Sequence, residues 1–248
     1  MRPLGPPEVS GGPILFAMDR GTWYTIKNVI RSKRGLRFVK RCFIFAAGTF
    51  YGLRERPAPG DFVIAADAGY TALCRRGVRI DEVIGDFDSM GRAPDHPNVY
   101  RLPVEKDDTD MLFALRVGLK RGYREFHLYG GVGGRLDHTL ANLQCLAWLA
   151  RQGCRGYLYG DGCVLSAIYN DCLSFRPLED GIFSLFAHGG TAHGVSIRGL
   201  KYTLDGADVG CDFPIGVSNA FIGQPAEVSV RDGLLIVSFP YGALETGG

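Results

Sequence analysis

Residues 85–110 contain seven carboxylates, and the crowding of six of them is the strongest chemical signal in the chain. These six form two groups, Gly85-Asp86-Phe87-Asp88-Ser89 and Glu105-Lys106-Asp107-Asp108-Thr109-Asp110. Like charges held close together repel one another, and their pKa values rise unless a cation lies among them. Mg²⁺ prefers oxygen ligands and is commonly held by one or two carboxylates together with substrate phosphates. The pattern therefore predicts a magnesium site that works with a phosphorylated substrate.

Three of these aspartates form the predicted ligand set. Asp86 and Asp88 are two residues apart, so an extended backbone points both side chains the same way. With Asp110 they can hold Mg²⁺ between two phosphates. Lys106 lies among the acids and pairs either with them or with a phosphate. The alternative interpretation is a solvated acidic turn followed by a helix start, where Asp110 favours the positive end of the helix.

A glycine-rich loop, residues 130–134, lies after a predicted strand and before a predicted helix. In that position backbone N–H groups and the helix end can bind phosphate, and Arg135 can add a bidentate contact. The loop fits neither the P-loop motif nor the dinucleotide-binding spacing. His138 is interpreted mainly as a helix-start residue, with a catalytic role as the alternative.

Alternating strands and helices must position these side chains. Buried strands are predicted at 42–47, 62–66, 82–84, 99–102, 125–129 and 157–159, and helices through 72–74, over 109–121 and over 139–152. This alternation predicts a parallel sheet with right-handed crossovers. Because ligands bind beyond the carboxyl ends of such strands, we expect Asp67, the two acidic groups and the glycine loop to meet at one edge.

The sequence changes character after Gly162. Short β segments separated by turn residues follow, and Arg231-Asp232-Gly233 is a hairpin signal. The predicted fold class is therefore α/β plus all-β. An N-terminal parallel-sheet α/β domain over 41–160 precedes a C-terminal antiparallel β-sandwich domain over 161–248.

Residues 1–40 form an atypical N-terminal extension. The first thirteen are rich in Pro and Gly, and a basic stretch follows from Arg31 to Arg41. We expect this extension to be solvated and poorly ordered. A patch for polyanions or a targeting signal is the alternative interpretation.

Composition excludes several classes of protein. The 248 residues carry a net charge of only +2, which gives no support to nucleic-acid binding. No apolar run approaches the ~20 residues of a membrane span. Seven cysteines occur singly, without Cys-x-x-Cys pairs, and we expect them to be reduced thiols in a cytoplasmic protein.

Five motifs, taken together and in order, resemble the bacterial type of thiamine pyrophosphokinase. They are Ala66-Asp67-Ala68-Gly69, Gly85-Asp86-Phe87-Asp88-Ser89, Lys106-Asp107-Asp108-Thr109-Asp110, Gly133-Gly134-Arg135-Leu136-Asp137-His138 and Gly216-Val217-Ser218-Asn219. The similarity in order and spacing extends from about residue 42 to about residue 240. Two positions depart from the family. Ala68 stands where many members have glycine. The first strand ends in Ala-Ala-Gly, where paired glycines are common. Residues 1–40 match no part of the family.

The resemblance implies transfer of the terminal pyrophosphate of ATP to the hydroxyethyl oxygen of thiamine, leaving AMP. It implies a homodimer with thiamine bound between subunits. It assigns Mg²⁺ to Asp86, Asp88 and Asp110, and the thiamine side to Ser218 and Asn219. The implied nucleotide-binding residues are Asp67, Lys106, Asp108, Thr109, Gly131, Gly134 and Arg135. The base that accepts the alcohol proton is either Asp110 or Asp137.

Three other functions compete with this expectation. A related pyrophosphokinase would act on a pterin or another hydroxymethyl compound, but residues 216–219 favour thiamine within the resemblance. A metal-dependent phosphohydrolase would place its Asp-x-Asp pair after the first strand, whereas here the pair follows the third. A non-catalytic nucleotide-binding module would tolerate loss of the acidic residues, and none is lost.

Overall fold

A computed structural model describes residues 40–87, 94–102 and 108–244 with their side chains. It also describes the backbone of four short strands within residues 15–38. Within these ranges, no helix is long and apolar enough to cross a membrane. All seven cysteines are described, and all are free thiols.

The N-terminal extension contains two hairpins where we expected a poorly ordered segment. They are β1 (Leu15–Asp19) with β2 (Thr22–Ile26), and β3 (Val29–Ser32) with β4 (Gly35–Phe38). Residues 22–26 include Trp, Tyr, Ile and two Thr, which favour strands. Each pair forms a separate two-stranded sheet among the described strands. The first thirteen residues lie outside the described part of the chain.

Six parallel strands form the first half of a ten-stranded sheet. In chain order they are β5 (Arg41–Phe45), β6 (Phe62–Ala66), β7 (Glu82–Gly85), β8 (Val99–Arg101), β9 (Glu125–Tyr129) and β10 (Arg155–Tyr159). Across the sheet their order is β10-β9-β5-β6-β7-β8. Both β5 and β6 are buried at every residue, as their continuous apolar runs predict.

Three helices connect the parallel strands. They are α1 (Gly69–Cys74), α2 (Asp110–Lys120) and α3 (Leu136–Arg151). Side chains of β5 alternate between two apolar clusters, with Cys42 and Ile44 facing the cluster that includes residues of α2 and α3. Phe43 and Phe45 face the other cluster, which includes Leu73 of α1.

The C-terminal strands complete the large sheet and add a second one. They are β11 (Cys163–Tyr169), β12 (Cys172–Phe175), β13 (Ile182–Ala187), β14 (Ala192–Arg198), β15 (Leu204–Val209), β16 (Asn219–Ala220), β17 (Ala226–Asp232) and β18 (Leu234–Pro240). The large sheet continues from β10 through β11, β18, β13 and β16, and the second sheet has the order β12-β17-β14-β15. The two layers share a core in which the rings of Phe175, Phe183 and Phe239 pack edge to face.

The predicted fold class, a parallel α/β half followed by an antiparallel β-sandwich half, is confirmed. The large sheet nevertheless runs without interruption across the predicted boundary at 160/161, because β10 and β11 form a hairpin there. Two strands of the C-terminal half were not predicted. The first, β15, has only one buried residue, and β16 is two residues long, so neither has the apolar alternation that identifies a strand.

Glycines allow the connection that follows β5 and the connection that follows β9 to lie in direct backbone contact. The backbone N–H of Gly48 donates to the carbonyl of Gly130 at 2.9 Å. A Cβ on Gly130 would lie 2.4 Å from the carbonyl oxygen of Ala46, and the Gly130 φ of +67° is left-handed. Any side chain there would force the two connections apart.

We therefore predict that Gly130→Ala destabilises the protein by about 3 kcal/mol, from left-handed strain together with the backbone clash. Gly122→Ala is the matched control, since Gly122 also has a positive φ but open space around its missing Cβ. That control should cost only about 1 kcal/mol. Urea unfolding of both variants measures the difference, and equal costs would contradict the close approach.

Candidate active site

A cleft of about 720 Å³ lies where β5, β6 and β9 end and where α2 and α3 begin. Four segments line it: residues 46–49, residues 66 and 67, residues 109–111, and eight residues between 130 and 142. Parallel strands deliver these connections to the same edge of the sheet. These four segments, which are distant in sequence, thus meet at one edge of the sheet, as the positions of the predicted strand ends indicate.

Asp67 directly follows β6 and is held in an unusual conformation. Its φ is +49°, which is uncommon for a residue with a side chain. Its backbone N–H donates to the carbonyl of Ile84 at 2.8 Å, which ties it to the neighbouring β7. A Cβ on Gly85 would lie 2.2 Å from Asp67 Oδ1, so the glycine leaves room for the carboxylate.

The Asp67 carboxyl lies in an environment that opposes its ionisation. Burial, then a hydrogen bond with the Asp110 carboxyl and the charges of Asp110 and Asp86, raises the pKa of Asp67 to about 7. A backbone hydrogen bond from Phe87 acts in the opposite direction. Asp67 Oδ1 is buried and has no hydrogen-bond partner among the described residues. Carboxyl groups from three strand connections, Asp67, Asp86 and Asp110, thus lie near one another.

Two predicted site residues, Asp88 and Lys106, lie outside the described residues. Asp86 directly follows β7 and contributes to the charge around Asp67. Among the side chains that the structure describes, no three His, Cys, Asp or Glu residues are grouped so as to hold a metal ion. The assignment of Mg²⁺ to Asp86, Asp88 and Asp110 stays a prediction.

The glycine loop is fixed from the side of α3. Asn142 is 6% exposed, and its Nδ2 donates to the carbonyl of Gly131 at 2.7 Å. A Cβ on Gly131 would lie 2.6 Å from the Leu158 side chain, so the loop packs directly on the core. Gly133 and Gly134 have left-handed φ values of +82° and +76°, which glycine adopts readily.

Arg135 and Asp137 pair with each other at the start of α3. Arg135 donates to Asp137 from Nε at 3.1 Å and from Nη2 at 2.5 Å. This pairing holds the pKa of Asp137 below its usual range. Both side chains are exposed, so Arg135 can exchange Asp137 for a phosphate at little cost.

The start of α2 presents two further predicted residues. Thr109 is the N-cap, since its hydroxyl accepts the backbone N–H of Leu112 at 3.2 Å, and it lines the cleft. Asp108 instead forms an ion pair with Arg116 on the outer side of the helix. Thr109, and not the neighbouring Asp108, is therefore the residue that caps α2.

The predicted thiamine-side residues are not brought to this cleft. Ser218 is exposed, has a φ of +60° and donates its N–H to Ser184 Oγ at 3.2 Å. Asn219 is buried, and its amide exchanges two hydrogen bonds with the backbone of Tyr202. Since β16 lies five strand positions from β9, the separation along the sheet is about 24 Å.

Comparisons with known proteins agree with the resemblance in the motifs. A family model described as "Thiamin pyrophosphokinase, catalytic domain" matches residues 58–158. A second, "Thiamin pyrophosphokinase, vitamin B1 binding domain", matches residues 173–235. The chain belongs to the thiamine pyrophosphokinase family. The first match contains the predicted carboxylates and the glycine loop, and the second contains Ser218 and Asn219.

Similar proteins support membership of this family. The chain is 27% identical to a thiamine pyrophosphokinase of Bacillus subtilis over 188 residues, which is 70% of this chain and 85% of that protein. The crystal structure of the B. subtilis enzyme has a TM-score of 0.73 at 24% identity, covering 81% of this chain and 99% of that one. A family protein from Enterococcus faecalis has a TM-score of 0.67 at 26% identity, covering 81% and 98%.

Sequence reasoning missed two residues of the family's cleft in this chain. Asn142 is a buried amide within a helix that is otherwise apolar toward the core, and a polar residue at such a position could have drawn attention to it. Thr49 lines the cleft just after β5. Its position after a parallel strand is a usable signal, although Ala47-Gly48 replaces the paired glycines that are common in the family at that point.

Asp67→Asn should stabilise the metal-free protein at pH 8. In the wild type the folded pKa of about 7 exceeds the unfolded value of 3.8, so wild-type stability falls as pH rises between these values and the cost is complete above pH 7. The amide removes that cost, and we expect the melting temperature to rise by a few degrees at pH 8 but not near pH 4.

Differential scanning calorimetry in the presence of a chelator measures this difference across the pH range. Asp171→Asn is the control, because Asp171 is exposed and pairs with Arg155 at the opposite edge of the sheet. A shift of the Asp67 variant that does not depend on pH would contradict the electrostatic explanation.

Proposed function

We propose that this protein transfers the terminal pyrophosphate of ATP to the hydroxyethyl oxygen of thiamine, with Mg²⁺ as cofactor, giving thiamine diphosphate and AMP. One observation carries the proposal. The Asp67 carboxyl, flanked by Asp110 and Asp86, shares a cleft edge with the glycine loop, in a chain with the family's catalytic and vitamin B1 binding domains. Clustered acids opposite a backbone anion site suit a metal-bound polyphosphate better than any neutral ligand.

The glycine loop and two helix starts supply the phosphate contacts. The first turns of α2 and α3 both border the cleft, and the N-terminal ends of helices favour anions. The hydrogen bond from Asn142 engages the carbonyl of Gly131 and so fixes the backbone of the glycine loop. Arg135, once released from Asp137, adds a charged contact to the bound triphosphate.

The carboxylates fit a hard divalent cation. Asp67 Oδ1 is buried and without a hydrogen-bond donor among the described residues, and Asp67 contacts Asp110 although both are acids. Such a cluster is relieved by a cation with oxygen ligands. We assign Mg²⁺ to Asp86, Asp88 and Asp110, with phosphate oxygens completing its ligand set. When bound, the ion supplies neutralisation of phosphate charge.

The remaining task for the protein is to move one proton. A primary alcohol is a weak nucleophile, and a positioned carboxylate can accept its proton in the transition state. Asp110 and Asp137 are the candidates. The Arg135 pairing lowers the pKa of Asp137, so the Asp137 carboxylate becomes more basic than in the paired state when Arg135 turns to the phosphate.

The thiamine side is proposed to come from a second copy of this chain. Ser218 and Asn219 lie about 24 Å along the sheet from the end of β9, too far to share a ligand with that cleft. Next to them Phe213, Ile215 and Val217 are 67%, 60% and 47% exposed. Exposed apolar side chains of this kind are typical of an interface, which supports a homodimer with thiamine bound between subunits.

Incubation of the purified protein with Mg-ATP and thiamine should release AMP and form thiamine diphosphate in equal amounts. Both are separable by anion-exchange chromatography, and a pterin alcohol in place of thiamine serves as the specificity control. Release of ADP, or AMP release without thiamine, would contradict the proposed transfer. Equal turnover of the pterin alcohol would contradict the proposed substrate.

Asp86→Asn and Asp110→Asn should each lower kcat by about a hundredfold or more, because each removes a proposed ligand charge from the transition state. Asp171→Asn makes the same chemical change at an exposed site on the opposite edge and should be active. Far-UV circular dichroism checks that all three variants are folded. Near-normal kcat in the Asp86 or Asp110 variant would show that the metal site lies elsewhere.

A further inference from the structure

The loop of residues 48–55 is anchored at both ends beside the glycine loop. At one end the Gly48 N–H donates to the carbonyl of Gly130 at 2.9 Å. At the other, the buried Tyr129 hydroxyl accepts the N–H of Glu55 at 2.9 Å and donates to its carbonyl at 3.1 Å. Tyr129 is the last residue of β9 and Gly130 is the first residue after it, so loop 48–55 is fixed relative to the glycine loop.

A buried ion pair strengthens the second anchor. Arg41 is 5% exposed, and it donates to Asp61 from Nη2 at 2.7 Å and to Glu55 from Nη1 at 3.5 Å. The same guanidinium donates to the carbonyl of Arg56 at 3.4 Å. Loop 48–55 is therefore tied to the start of β5 as well as to its end, so its backbone is held at both ends.

Two hydroxyl groups of this loop meet the glycine loop at Gly133. A Cβ on Gly133 would lie 2.9 Å from Thr49 Oγ1 and 2.6 Å from the Tyr51 hydroxyl. Thr49 itself lines the cleft. Tyr51 is half-buried and packs against the cluster that includes α3. One hydroxyl thus faces the space where phosphate would bind, and the other lies against the glycine that borders it.

We propose that the Thr49 hydroxyl donates a hydrogen bond to a phosphate oxygen of the nucleotide, and that Tyr51 is a positioning residue that fixes Gly133. This inference rests on the proposed function. Both residues precede the stretch matched by the catalytic-domain family model, residues 58–158. A hydroxyl that donates to a charged oxygen forms one of the stronger hydrogen bonds in proteins, and the anchors leave Thr49 little conformational entropy to lose on binding.

Calorimetric titration with Mg-ATP, in the absence of thiamine, tests the Thr49 contact without depending on turnover. Thr49→Val replaces the hydroxyl by a methyl of similar size and should raise the Kd about tenfold, as expected for a lost bond to a charged group. Thr49→Ser keeps the hydroxyl and should bind within about twofold of the wild type. Melting temperatures of the two variants check that both are folded.

Steady-state kinetics test the positioning role of Tyr51. Tyr51→Phe removes only the hydroxyl and should raise the KM for ATP about threefold, while the KM for thiamine is unchanged. Tyr70→Phe is the matched control, because that hydroxyl donates to the Asp95 carbonyl on the surface and does not border the cleft. If the role of Tyr51 is purely structural, Tyr51→Phe should instead lower the melting temperature and leave the KM for ATP and the KM for thiamine unchanged.

The possible outcomes separate this inference from the proposed function. If the wild type binds Mg-ATP and Thr49→Val binds equally well, the contact is overturned while the function stands. If Thr49→Ser is as impaired as Thr49→Val, methyl packing rather than the hydroxyl matters, and the contact is again overturned. If the wild type itself fails to bind Mg-ATP, the proposed function fails and the inference with it.

Discussion

The parallel pairing of β5 with β9 is the constraint on which the cleft depends. Their register runs from Arg41 opposite Glu125 to Phe45 opposite Tyr129, and it continues beyond the strands, since Ala46 N–H donates to the Tyr129 carbonyl at 2.8 Å. Glycines then let the two connections stay in contact where side chains would separate them. The glycine loop and loop 48–55 are neighbours for this reason.

The cluster of Asp67, Asp86 and Asp110 lowers the folding stability of the protein unless a cation offsets its charge. Asp67 combines a left-handed backbone with a pKa raised by burial and by its acidic neighbours, and neither feature is needed to fill the core. Strain and perturbed pKa values of this kind concentrate at functional sites. The apolar clusters on both faces of β5 are what keep Asp67 and Asp110 together despite their repulsion. The packing of the sheet beneath the binding edge therefore offsets the cost of the clustered carboxyl groups.

Much of the parallel half could be predicted from sequence, because buried strands are continuous apolar runs and their ends define the binding edge. Asp67 and the glycine loop were found in this way. The structural role of Asn219 could not be predicted from the sequence. Its amide forms hydrogen bonds with the backbone of Tyr202, which is seventeen residues away, and no local pattern indicates that partner. Likewise Gly160-Asp161-Gly162 is typical both of a linker between domains and of a hairpin turn, so the sequence does not distinguish a domain boundary from a turn within one sheet.

The continuous sheet has a consequence for catalysis. Because β10 pairs with β11 through a tight hairpin, the two halves of the chain cannot swing toward each other about a linker. The separation between β16 and β9 is then fixed by the number of strands between them. A substrate held by Ser218 cannot reach a phosphate at the glycine loop of the same chain without breaking that sheet. If both assignments hold, the reaction needs two chains, and the assembly itself becomes part of the active site.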